Sequence, residues 1–151
     1  SITDSLINNP DPQTVYGCKF SIQYCDASVL KYGNVGIEQF SAQAMADPET
    51  RALMQKISVH QDPEIQQVYD TDPSKLATKV IVTLKDGRKL EKEVDYPKGD
   101  PDCPMTWEDS VAKFTALAEP VYGKEKTAKL CALIDKLDEV EDFKTALRAC
   151  L

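Results

Sequence analysis

A chain of 151 residues, 42% hydrophobic and 28% charged, is long enough for a buried core and too apolar for a disordered segment. Its 18 basic and 25 acidic residues leave a net charge of −7, which disfavours nucleic-acid phosphates and anionic membrane surfaces as partners. No apolar run approaches the roughly 20 residues of a membrane-spanning helix.

Residues 1–13, SITDSLINNPDPQ, close on the turn run Asn8-Asn9-Pro10-Asp11-Pro12 and read as a lead-in. A start at Ser1 without an initiator Met fits processing or a piece of a longer protein. From about Thr14 to Tyr32 the spacing predicts one helix, stopped by Gly33. One apolar stripe of that helix holds Cys18, Ile22, Cys25, Val29 and Tyr32. The other holds Phe20, Tyr24, Ala27 and the stem of Lys31, with Lys19, Gln23 and Asp26 as a polar wedge between the two. A helix apolar on opposite sides is usually buried between two layers. The sheet described next is the expected first layer, and the second is hard to find within the chain. Ile37–Ala46 predicts a short helix. Another starts at Asp47, an N-cap followed by Pro48, reaches about Lys56, and buries Leu53, Met54 and Ile57. Ile57–His60 reads as a strand, and Pro63–Asp70 is ambiguous.

In ATKVIVTLKDGRKLEKEVDY, Val80, Val82 and Leu84 alternate with Ile81, Thr83 and Lys85. Asp86-Gly87 then predicts a two-residue hairpin turn, with Arg88–Asp95 returning as a polar strand at a wet face or edge. The loop KGDPDCPM is stiffened by Pro97, Pro101 and Pro104. Thr106-x-x-Asp109 is a capping-box start for a helix carrying Trp107, Val111, Phe114 and Leu117. Pro120 and Gly123 are expected to end it. Further helices are predicted over about Lys124–Leu137 and Val140–Cys150. The order of helices, a small antiparallel sheet and then helices is an α+β pattern.

Cysteines 18, 25, 103, 131 and 150 form no C-x-x-C pair, and His60 is the only histidine. Free thiols in a reducing, cytoplasmic setting and no metal centre are expected.

Three stretches together resemble the C-terminal part of the MmgE/PrpD family: KFSIQYCDASVLKYG (residues 19–33), VIVTLKDGRKLEKEV (residues 80–94) and YPKGDPDCPMTWEDSVAKF (residues 96–114). In the last, Cys103 stands where the family commonly has Asn. The family includes 2-methylcitrate dehydratase, cis-aconitate decarboxylase and iminodisuccinate epimerase. The resemblance implies an α+β lid-like domain over residues 1–105. Residues 106–151 would then be C-terminal helices that pack on a helical domain absent from this chain. It also implies small polycarboxylate substrates, no cofactor, and a tendency to form homodimers.

Of the family's site residues only the tyrosine of K-F-S-x-x-Y carries over, as Tyr24. A phenol stays neutral at pH 7 and can donate to a substrate carboxylate without the desolvation cost of a buried lysine. The competing reading is a packed aromatic whose hydroxyl meets a backbone carbonyl. Lys19 reads either as an attractor for anionic substrate or as a solvated surface lysine, and Gln23 as a neighbour supporting the substrate site. Lys98, Asp100 and Asp102 read as a cleft gate or as a stiff connector. Two functions follow. One is the lid-containing C-terminal fragment of a lyase or isomerase, inactive alone; the other is a stand-alone ligand-binding or dimerisation module without catalysis. A split enzyme with a separate helical half is a third possibility.

Overall fold

The computed structural model describes residues 7–150, and its compact units divide between Asp95 and Tyr96. In the first unit the α-helices are α1 (Val15–Cys18), α2 (Ile22–Tyr32), α3 (Ala42–Met45), α4 (Pro48–Met54) and α5 (Pro63–Thr71). A 3-10 helix over Ile37–Phe40 precedes α3, and the strands β1 (Thr78–Thr83) and β2 (Lys89–Val94) follow α5. The second unit holds α6 (Trp107–Tyr122), α7 (Lys124–Asp135), a 3-10 turn over Leu137–Glu139 and α8 (Phe143–Cys150). The chain is α+β.

The single helix expected over Thr14–Tyr32 is broken in two. Ser21 adopts an extended backbone (φ −117°, ψ 108°) and caps α2, its hydroxyl accepting from the Tyr24 N–H at 3.0 Å. The same hydroxyl donates to the Asn9 carbonyl at 2.6 Å, so the break is tied to the lead-in. A serine side chain that satisfies backbone groups this way competes with helix continuation. The two stripes therefore do not run through the break: Cys18 is buried and Phe20 is exposed. Gly33 ends α2 in the left-handed region (φ 79°), where a Cβ would be strained.

Cys18, Tyr24, Ala27 and Met54 form the core, with Phe40, Met45, Leu53 and Ile57 packed around them. Helix α4, rather than the hairpin, lies against α2, and no hairpin residue joins this cluster. Arg51 fastens the outside: it donates to the Met45 carbonyl (2.8 Å), the Pro12 carbonyl (3.0 Å) and Asp11 Oδ1 (3.1 Å). Asp47 caps α4 as expected. One carboxylate oxygen accepts from the Thr50 N–H (2.8 Å), the Thr50 hydroxyl (2.6 Å) and Lys31 Nζ (2.6 Å).

Three further expectations change. The helix expected over Ile37–Ala46 splits at Ser41, whose hydroxyl caps α3 by accepting from the Ala44 N–H. Ile57–His60 is irregular rather than a strand, having no partner strand among the described residues. The ambiguous segment is helix α5, started by Asp62 and Pro63.

The hairpin forms with Thr78 opposite Val94 and Thr83 opposite Lys89. Its loop has three residues, not two. Leu84 and Arg88 still bond (2.8 Å), and Gly87 alone has positive φ (87°), whereas a two-residue type I′ turn needs two such residues. Every residue of β2 is exposed, and β1 half-buries only Lys79 and Val82.

In the second unit Thr106 and Asp109 form the expected capping box, at 3.1 and 3.0 Å. Lys98 Nζ donates to the same Asp109. The loop before it closes on itself through Gly99 N–H to the Cys103 carbonyl (2.8 Å). Helix α6 runs through Pro120 to Tyr122, stopping only at Gly123. A proline in the final turn denies a bond only to the Ala116 carbonyl, which the helix tolerates. A surface groove of about 420 Å³ runs between α6 and α7, lined by Trp107, Val111, Thr115, Ala128 and Cys131.

The bonds from Lys31 and Thr50 hold the Asp47 carboxyl down to about 2, against an ordinary 3.8. A depressed carboxylate stabilises the fold above its unfolded pKa and loses that contribution as pH falls through the folded value. Stability of the wild-type chain should therefore decline between about pH 4 and pH 2. Asp47→Asn should flatten that decline in urea titrations run across the window; an unaltered slope would refute the assignment.

Candidate functional site

Tyr24 stands in the first turn of α2, positioned by the Ser21 cap on its own N–H. Its side chain is fully buried, and its ring tilts against Phe40 at 6.0 Å between centroids. The phenol donates its proton to the Gln39 carbonyl, on the 3-10 helix. Burial is the main cause that pushes the phenol above its ordinary pKa, so it is neutral and a donor at physiological pH.

Lys19 and Tyr24 are not on one helical line, yet the break at Ser21 gives them a common neighbour. The exposed Lys19 places Nζ 5.8 Å from the centroid of the Phe40 ring. Gln23 is buried at 2% exposure on the adjacent side of α2. Its amide nitrogen donates to Asn8 Oδ1 at 2.6 Å, and its Oε1 has no partner among the described residues.

Ser28, one turn beyond Tyr24, is also fully buried, and its hydroxyl has no hydrogen-bond partner among the described residues. Cys25 points its thiol at the Cys18 carbonyl (3.6 Å), and burial pushes that thiol up, which keeps it protonated and inert. His60 is exposed and bonds to Ser58 at 2.9 Å. The loop residues bond one another: Lys98 to Asp109, and the Asp102 N–H to Asp100 Oδ1 at 3.0 Å. Among the described residues no three His, Cys, Asp or Glu side chains come together to hold a metal ion. Nor is any described helix long and apolar enough to cross a membrane. All five cysteines are free thiols.

The arrangement is one buried neutral donor bonded to a backbone carbonyl, with an exposed lysine on the Phe40 ring that neighbours it, on a helix-rich α+β chain. The chain belongs to the MmgE/PrpD family, whose C-terminal domain matches residues 1–139. It is similar to cis-aconitate decarboxylase of Mus musculus, 27% identical over 94% of this chain and 28% of that protein. Cis-aconitate decarboxylase of Homo sapiens is 25% identical over 90% of this chain and 27% of its own length. The 2-methylcitrate dehydratase of Cupriavidus necator is 33% identical over 76% of this chain and 25% of its own length. The chain thus spans about a quarter of the length of these curated relatives.

Tyr24→Phe deletes the donor to the Gln39 carbonyl while keeping the ring. It should lower the stability of this chain by about 1 kcal/mol, the usual net worth of one such bond. Urea unfolding measures it, and an unchanged midpoint would deny the bond.

Proposed function

We propose that this chain is the C-terminal part of a MmgE/PrpD-type lyase or isomerase acting on small polycarboxylates in the cytoplasm. It would include the lid-like domain and the closing helices. The observation that carries the reading is that 76% to 94% of the chain matches about a quarter of each relative. Tyr24 acts as a donor to a substrate carboxylate, Lys19 draws the anion in, and Gln23 supports the site from behind. The proton-transfer groups lie on a helical region outside these residues, and no cofactor is needed. Unpartnered apolar side chains on α2 (Val29, Leu30) and on the closing helices (Leu117, Val121, Leu137) support the need for such a region.

The second reading, a binding or dimerisation module without catalysis, draws on the Tyr24 phenol being bonded to a backbone carbonyl.

Neither 2-methylcitrate nor cis-aconitate should be turned over by the 151-residue chain, whereas a longer protein carrying it should act on one of them. In that protein Tyr24→Phe should lower kcat by roughly 10²-fold, the loss typical of one preorganised donor. Turnover by the chain alone would defeat the claim that essential groups lie elsewhere.

The same exposed apolar surface, with the open hairpin edge, should make the isolated chain pair with a second copy. Light scattering is expected to report a dimer or larger; a monomer at high micromolar concentration would count against it.

A further inference from the structure

The Leu84 N–H donates to the Arg88 carbonyl at 2.8 Å, and the hairpin register runs on from there to Thr78 opposite Val94. Bonded and non-bonded pairs alternate along an antiparallel ladder. Val82, Val80 and Thr78 therefore turn their backbone groups toward β2. Lys79, Ile81 and Thr83 turn theirs to the outer edge of β1, where no further strand pairs among the described residues.

Proteins guard such edges with charge, proline, a bulge or brevity. The edge of β2 is guarded by Lys89, Glu91, Lys92 and Glu93. Pairing two copies of β2 about Glu91 or Lys92 sets like charges opposite each other, which is unfavourable. The edge of β1 lacks such a guard. Its sequence is TKVIVT, in which every residue but Lys79 is β-branched, and its register has no bulge. The one charge is already engaged, with Lys79 Nζ 2.7 Å from Glu91. Ile81, at the middle, is 54% exposed.

We propose that the β1 edge pairs antiparallel with the β1 edge of a second copy, about a two-fold axis at Ile81. The proposal rests on the self-association expected above and names its surface. In this register Ile81 faces Ile81, and Lys79 faces Thr83 in both directions, so the outward backbone groups of all three residues are satisfied. Val80 meets Val82 as a β-branched cross-strand pair, and no like charges meet. An axis at Val80 or Val82 instead leaves Thr83 or Lys79 opposite a residue beyond the strand. The product is a four-stranded sheet in the order β2, β1, β1, β2, with the same patch used by both copies.

The test is amide hydrogen exchange of the 151-residue chain over a dilution series, read by NMR, with light scattering on the same samples. The Lys79, Ile81 and Thr83 amides should gain roughly tenfold protection as the dimer fills. The outward amides of β2, at Lys89, Glu91 and Glu93, should stay fast. Thr83→Glu sets a carboxylate opposite Lys79 at two symmetric places and should tighten the dimer by roughly fivefold; Thr83→Lys should loosen it by as much. General charge repulsion has the opposite sign, because each copy already carries −7. Ile81→Pro removes one edge N–H per copy, leaves the hairpin's own ladder intact, and should weaken pairing roughly 30-fold. A dimer whose Lys79, Ile81 and Thr83 amides exchange as fast as in the monomer overturns the proposal, while self-association through another surface stands. Tightening by Thr83→Lys overturns it in the same way. A chain that is monomeric at high micromolar concentration overturns both, and the lyase or isomerase reading is then judged on turnover alone.

Discussion

The hydroxyl of Ser21 is caught between two backbone groups, accepting from the Tyr24 N–H and donating to the Asn9 carbonyl. That pair of bonds ends one helix, starts the next and sets the rotation of α2 about its axis. Once the rotation is set, Tyr24, Ala27 and Ser28 face inward, while Val29 and Leu30 face out. Met54 from α4 and the Phe40 ring then close over the inner face. Were α1 and α2 one uninterrupted helix, Cys18 and Tyr24 would sit on different stripes; with the break they share one core.

The charged groups of the first unit work at its periphery. Arg51 gathers the Pro12 and Met45 carbonyls and the Asp11 carboxylate, tying the lead-in to α4. Asp47 caps α4 and holds Lys31, which joins α4 to the end of α2. Both contacts leave the interior to neutral groups. Tyr24 there is a neutral donor that needs no compensating charge.

A two-stranded hairpin with both faces wet is marginal on its own. Here a Lys79–Glu91 ion pair (2.7 Å) reinforces it, yet Val80, Ile81 and Leu90 stay largely exposed. The helices of the second unit carry comparable bare apolar side chains at Val121, Leu137 and Phe143. The chain spans about a quarter of the length of the relatives it matches.

What the sequence determined by itself was carried by neighbours a turn apart, though not every such pair was read, the Ser41 cap on the Ala44 N–H being equally local. Asp47-Pro48, Thr106 with Asp109, the stop at Gly33 and the hairpin around Gly87 were all legible, because each cap or turn closes over two to four residues. The family resemblance was legible too, through motifs that include Tyr24. Tertiary structure alone decided where helices break and which faces are buried. Ser21 looks like an ordinary helical serine until Asn9, twelve positions earlier, accepts its proton. Tyr24 is assigned its carbonyl only by a residue fifteen positions on. Ile57–His60 had strand-forming residues but no partner strand among the described residues, and Pro120 fell in a final turn that one missing N–H does not break. Contacts of this range depend on how the chain returns upon itself, and no local spacing encodes that.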